Sequence, residues 1–410
     1  MGYRYEYAER FAGRKHQDYN EFDGNLIIYG AGDTGKFAAY ALMRKDVCFV
    51  CYCDSDTRKH NTQVSGYEVI SPAELKEKHP DSPVLIASLH HKQLYDELTD
   101  AGFSIILDCI DLFMDVDFSE LESKMPLMQI HRLLNRYYDM MSGIVFTGAD
   151  KLRVLIILVT EKCTLRCREC QSLMQYFMHP VDYDYDDTVK AVSNILKSVD
   201  YLDRITVIGG ETFLYPRLAE LLDFLYTFDN YGRVQIVSNA TVIPENNVIN
   251  ALRNPKVYVK LSDYGLLSQK MSALIEYFED ECIRYERTVQ SQWYQRSEIK
   301  DYGRSNDELK DIFLNCCYGG KQCLSTARGR LYFCGFAAYA ERLGAIPMIE
   351  SDSVNLLEES LSKEDLLKKI GSMYDVGYIK ACNYCIGASM TDPVPLAEQV
   401  SKPLQYTKML

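Results

Sequence analysis

Cys163, Cys167 and Cys170 stand at C-x3-C-x2-C spacing, in the run Cys163-Thr-Leu-Arg-Cys167-Arg-Glu-Cys170. Three thiolates on one short loop can hold three irons of a [4Fe–4S] cluster, which ordinarily takes four cysteines. A loop that supplies only three leaves one iron open to an outside ligand, as a catalytic metal site keeps an open position. The competing reading is a zinc knuckle, but zinc asks for four ligands and no fourth Cys or His lies near in the sequence. A second set lies far downstream. Cys316 and Cys317 precede Gly329 by thirteen and twelve positions, Cys334 follows it by five, and Cys382 and Cys385 form C-x2-C. With Cys323 these make six candidates, four of which would fully ligate a further cluster or one structural zinc. All seven histidines lie at or before His179, so beyond that point only sulfur or oxygen can ligate.

The elements that must position these groups follow from the apolar runs. The triplet comes directly after RVLIILVT (153–160), and RITVIG (204–209), RVQIVSN (233–239), VYVKLS (257–262) and IRYERTV (283–289) read as further strands. Helical stretches fit 185–199, 217–228, 244–253 and 267–279 between them. Alternating strand and helix predicts a parallel sheet covered by helices, here a partial (β/α)6 barrel. Ligands of such folds sit at the carboxyl ends of the strands, and every motif of this region falls there. The triplet ends the first strand, Gly209-Gly210-Glu211 the second, Ser238-Asn239 the third and Ser262-Asp263 the fourth. Paired glycines permit close backbone approach to a ligand, and the Glu211 carboxylate suits an ammonium. Ser238 and Asn239 suit polar ligand contacts, or equally the turn chemistry of a strand end.

A separate α/β series comes first. NLIIYG (25–30), VCFVCYCD (47–54), PVLIAS (83–88) and FSIILD (103–108) read as strands of a Rossmann-like parallel sheet. Gly30-Ala31-Gly32-Asp33-Thr34-Gly35 fits G-x-G-x-x-G between strand and helix, and Asp54 ends the second strand, where a ribose-binding acid belongs. The unit is too short for a full dinucleotide fold, so a mononucleotide-type ligand, or none, fits better than NAD. Cys48, Cys51 and Cys53 lie on or beside a strand and read as packing rather than a metal site. The expected organisation is a Rossmann-like domain over 1–110, a helical connector over 111–150, the partial barrel over 151–305, and a small cysteine-rich α+β extension over 306–410.

Composition narrows the partners. The 410 residues are 47% apolar and 25% charged, the balance of an ordinary globular protein, and the net charge is −13. A nucleic-acid partner wants a basic surface to neutralise phosphates, so none is expected. No run of 18 apolar residues spans a membrane, and MGYRYEYAER lacks the apolar region of a secretory signal. A cytoplasmic setting follows, in which fourteen cysteines stay reduced.

With triplet and Gly209-Gly210-Glu211 in order, residues 150–390 resemble the radical S-adenosylmethionine superfamily. The resemblance implies that the open iron binds the amino and carboxylate groups of S-adenosylmethionine, with Glu211 toward that amino group and Ser238 and Asn239 toward the ribose. One electron then cleaves the sulfonium, and a 5′-deoxyadenosyl radical removes hydrogen from substrate. Many members carry an aromatic residue just before the third cysteine, to pack on adenine; here Glu169 takes that place. The downstream cysteines resemble a twitch or SPASM extension, in its shorter form, with a second auxiliary [4Fe–4S] cluster. An external one-electron reductant such as flavodoxin or ferredoxin is implied. Residues 1–110 resemble the nucleotide-sugar-binding domain of sugar acyltransferases. The expected activity is oxidation or epimerisation of a sugar, aminosugar or nucleotide-linked sugar. Epimerisation needs a thiol hydrogen donor, for which Cys323 and Cys282 are spare. Alternatives are modification of a ribosomally made peptide, or a non-catalytic iron–sulfur redox or sensor protein.

Overall fold

The computed structural model describes residues 11, 14–115, 127–142, 149–290, 293–316, 323–375, 377–387 and 392–407. The chain divides into two compact units, 1–145 and 146–410. Among the described residues no helix is long and apolar enough to cross a membrane.

The first unit carries six strands: β1 Leu26–Tyr29, β2 Phe49–Cys53, β3 Thr62–Val64, β4 Tyr67–Ile70, β5 Val84–Ile86 and β6 Ile106–Asp108. Their order is β3-β4-β2-β1-β5-β6, parallel except for the β3–β4 hairpin. Alternation along β1 drives this packing. Leu26 and Ile28 face one apolar layer with Phe37, Ala38 and Leu42, while Ile27 and Tyr29 face another with Leu75, Leu94 and Leu98. The hairpin is absent from the strand reading above. Its two-residue loop is Ser65-Gly66, both at positive φ (53° and 84°), as the twist of a tight hairpin requires. A Ser-Gly pair was the available signal. The helix Leu127–Ser142, read above as a connector, sends Leu134, Tyr137 and Tyr138 into the core of this unit.

The second unit is built on an eight-stranded sheet. Its strands are β7 Lys151–Leu158, β8 Tyr201–Ile208, β9 Tyr231–Ser238, β10 Val257–Asp263, β11 Tyr285–Val289, then β13 Cys323–Ala327, β14 Arg330–Tyr332 and β15 Ser353–Asn355; β12 Trp293–Tyr294 and β16 Pro393–Val394 pair separately. β7 to β11 run parallel in sequence order, with helices Tyr185–Ser198, Leu218–Leu225, Asn246–Leu252 and Met271–Asp280 between them. The sixth parallel strand is β13, which joins the free edge of β7. It belongs to the stretch read above as a cysteine-rich extension, and β14 folds back antiparallel on it through Gly329, at φ +72°. A barrel edge left open at β7 would expose a row of unpaired backbone groups, and this late segment covers it.

Candidate functional site

The cysteine loop is placed by close packing of backbone on backbone. Gly210 N donates to Thr160 O (2.9 Å) and Glu211 N to Lys162 O (2.8 Å), stitching the end of β8 to the residues just after β7. A Cβ on Gly209 would stand 2.5 Å from Thr160 O, and one on Gly210 would stand 2.2 Å from Lys162 O and 2.8 Å from Cys163 Cβ. The two glycines therefore make room for the chain itself, so that Cys163 can lie against the neighbouring strand end.

Glu211 is part of the same join. It is fully buried, its Oε1 accepts from Phe213 N (3.0 Å) and its Oε2 from Asn239 N (2.8 Å). The carboxylate points inward and ties the ends of β8 and β9 together. Burial pushes its pKa up to about 7 against the opposing pull of those N–H groups. Ser238 is buried too, its Oγ accepting from Ala240 N (3.0 Å), which is the turn-chemistry alternative. Asp263 accepts from Arg287 and from Gly265 N, so it is an anchor as well. Ser262 is buried on the same strand end.

Asn239 alone of these reaches the triplet. Its Nδ2 donates to Cys163 Sγ (3.5 Å) and Thr164 Oγ1 (3.4 Å), while its Oδ1 accepts from Thr241 N (3.0 Å). The other sulfurs are surrounded in the same manner. Leu165 N donates to Cys163 Sγ (3.4 Å), and Gln399 Nε2 to Cys167 Sγ (3.1 Å). Burial raises the Cys170 thiol, against the pull of the backbone N–H groups of Met174, Ser172 and Leu173. Burial likewise pushes the Cys163 thiol up to about 12 and the Cys167 thiol up to about 11. Among the described residues no three His, Cys, Asp or Glu side chains converge on one metal ion.

Two aromatic residues near the triplet escaped the sequence reading. Burial raises the Tyr264 pKa, and so do the nearby sulfurs of Cys170, Cys167 and Cys163. The Trp293 ring meets Tyr264 edge to face at 5.6 Å. The aromatics just after the triplet are spent elsewhere, Phe177 against Tyr339 in the core and Tyr176 against Tyr406. Glu169, where an aromatic was expected, holds the segment after Trp293: its Oε2 accepts from Arg296 N (3.2 Å), Ser297 N (3.2 Å) and Ser297 Oγ (2.8 Å). Trp293 is the one tryptophan of the chain, and LSDYG was the signal for Tyr264.

The downstream cysteines come together in part. Burial raises the Cys334 thiol, and the neighbouring Cys382, Cys316 and Cys385 raise it further. Arg304 Nη1 donates to the carbonyls of Cys382 and Cys385, the latter at 2.6 Å, and so clamps the C-x2-C turn. Asp352 accepts from Lys380 N (3.2 Å) and Ala381 N (2.7 Å), fixing the approach to Cys382. Cys317 lies outside the described residues. Of the two spare thiols, Cys323 opens β13 level with Val154, midway along β7. Cys282 precedes β11, and since parallel strands run the same way it lies at the end of the sheet away from the triplet.

In the first unit a cavity of about 430 Å³ opens at the carboxyl ends of β1, β2 and β5, lined by Gly30, Gly32, Thr34, Lys59, Ser88 and His90 among others. Sheet order reverses at β1, between β2 and β5, which is the usual ligand crevice of open α/β sheets. Gly30 and Gly35 pack backbone on backbone: a Cβ on Gly35 would stand 1.8 Å from Gly30 O. Gly32 faces open space. Asp54 lines this cavity and is also held by the chain itself. Its Oδ2 accepts from Ala31 N (2.7 Å) and Lys59 Nζ (2.8 Å), and its Oδ1 from Asp56 N (2.8 Å). Cys51 and Cys53 are core residues and Cys48 is exposed.

Residues 22–104 match a family described as C2185-like, N-terminal. No protein of curated function matches the chain. Among solved structures it is similar to BtrN in complex with AdoMet and 2-DOIA, at 13% identity, over 62% of this chain and 98% of that one, with a TM-score of 0.42. It is also similar to UDP-D-quinovosamine 4-dehydrogenase from Vibrio fischeri, at 28% identity, over 21% of this chain and 77% of that one, with a TM-score of 0.18. A third similarity is to SuiB from Streptococcus suis bound to S-adenosylmethionine, at 16% identity, over 43% and 47% of the two chains, with a TM-score of 0.29. None of these likenesses is close enough to carry an argument about activity.

Proposed function

We propose that the second unit is a radical S-adenosylmethionine enzyme that oxidises or epimerises a sugar, aminosugar or nucleotide-linked sugar. Cys163, Cys167 and Cys170 would hold its [4Fe–4S] cluster. The observation that carries the reading is that the three cysteines share one loop at the strand ends, where the sulfurs of Cys163 and Cys167 meet N–H donors. Such donors favour the charged thiolate that a metal needs. Each thiolate of a cubane binds a different iron, so the sulfurs need not converge as they must on one zinc. When bound, the cluster supplies the electron that splits the sulfonium of S-adenosylmethionine and yields a radical able to take hydrogen from carbon.

The chain's own part is to seat the ligands. Asn239 and the hydroxyls of Thr164 and Thr241 form one hydrogen-bonded polar patch beside Cys163 and suit a ribose. Tyr264 and Trp293 offer an aromatic surface beside the sulfurs. Cys316, Cys334, Cys382 and Cys385 would fully ligate a second cluster, whose role is to take a second electron and so make the net change an oxidation. The first unit, with its strand-end cavity, would serve as a recognition module for a mononucleotide-type ligand.

Anaerobic incubation of reconstituted protein with S-adenosylmethionine and dithionite tests the reading. The expected product is 5′-deoxyadenosine, absent in Cys167→Ala. Cys385→Ala is expected to retain cleavage and lose net substrate oxidation. Zinc in the loop of a protein prepared without oxygen, or no metal at all, would end the proposal.

A further inference from the structure

The C-terminal segment lies along the cysteine loop. β16 pairs antiparallel with β12, placing Val394 opposite Trp293. Farther on, Arg168 N donates to Glu398 O (2.8 Å) and Val400 N to Arg166 O (2.9 Å), an antiparallel bridge centred on Cys167 and Gln399. Leu404 N donates to Gln175 O (2.8 Å), and the Tyr406 hydroxyl to Leu343 O (2.7 Å). These contacts hold residues 393–406 across the triplet.

Within that bridge the Gln399 amide has only one workable orientation. Its Oε1 accepts from Arg166 N (2.8 Å), and its Nε2 donates to Ala397 O (2.7 Å). A flipped amide would set N–H against N–H and O against O. The second Nε2 proton is thereby directed to Cys167 Sγ, at 3.1 Å. Two backbone groups thus aim a neutral donor at one particular sulfur, itself buried.

We propose that Gln399 is a positioning residue that tunes the reduction potential of the cluster held by the triplet. The inference rests on the proposed function above. Hydrogen bonds to cluster sulfurs are among the levers that set the potential. The reduced cluster carries one more negative charge, so an N–H aimed at a ligating sulfur stabilises it more than the oxidised form. Gln399 therefore makes the electron easier to load.

The test is a potentiometric titration of full-length reconstituted protein with dithionite, followed by electron paramagnetic resonance. The signal that changes on adding S-adenosylmethionine reports the triplet. In Gln399→Leu the reduced-to-oxidised ratio of that signal at a fixed potential falls by about tenfold, or about 59 mV for one electron. In Gln399→Glu, which keeps an oxygen for Arg166 N but turns a carboxylate toward the sulfur, the fall is larger. The signal indifferent to S-adenosylmethionine stays where it was. Both variants titrating like the wild type with full iron content would overturn the proposal. So would loss of iron from both, which would make Gln399 a structural tie. Should only the Leu variant lose iron, the Glu variant decides on the same terms. A wild-type protein with no responsive signal fails earlier, and takes the proposed function with it.

Discussion

The two units use one local device for different ends. In each, glycines at the end of a strand pack on the chain's own backbone, and an acid at a strand end accepts an N–H from the loop of a neighbouring strand. In the first unit Asp54 accepts from Ala31 N, and in the second Glu211 accepts from Asn239 N. The difference lies in what else the acid meets. Asp54 has Lys59, which with the backbone N–H groups holds its pKa below the usual range although burial opposes this. Among the described residues Glu211 meets only N–H groups and the Ser238 hydroxyl, and burial wins. Each acid fastens two strand ends together, so a carboxylate at a strand end does structural work in the site whatever ligand it meets.

The comparison is broken most severely at the glycines. Gly210→Ala drives a methyl into Lys162 O and Cys163, both parts of the cysteine loop. Overpacking of this kind costs about 1–3 kcal/mol, and iron retention after reconstitution is expected to fall sharply. Gly35→Ala is expected to cost a similar amount in the urea unfolding of the first unit, since it meets Gly30 O. Gly32→Ser, in open space at a helix N-cap, is expected to stay within about 0.5 kcal/mol. Equal losses at Gly32 and Gly35 would mean that close packing is not why the motif has glycine.

The acids come next. Glu211→Gln leaves one of Phe213 N and Asn239 N facing an N–H instead of an oxygen, for a loss of about 1–3 kcal/mol by chemical denaturation. For Asp54 the sign is set by its depressed folded pKa. Its contribution is present above the unfolded value and is lost as pH falls through the folded one. The acid limb of a stability-versus-pH curve should therefore flatten in Asp54→Asn. An unchanged acid limb would remove Asp54 from the fastening role.

A smaller loss than at the acids is expected where the units are alike. Ser71 and Ser305 each close a capping box, with Glu74 and Glu308, at the start of a helix. Either Ser→Ala should cost about 1 kcal/mol, measured by urea denaturation. A much larger loss at one of them would show that the helix start carries tertiary load.

Local sequence was enough for whatever depends on near neighbours. Strand runs such as NLIIYG and RVQIVSN, the helices between them, the triplet spacing and the glycine turn at Gly329 are written in residues a few positions apart. Periodicity and turn chemistry act over that range. Only the tertiary structure decided that β13 closes the edge of β7, that Cys316 comes near Cys334, Cys382 and Cys385, and that Glu211 faces inward. It alone brought Gln399 to Cys167, 232 residues away. Contacts of that separation arise from which edges and sulfurs remain open once local elements have formed, and no short-range pattern in the chain encodes them.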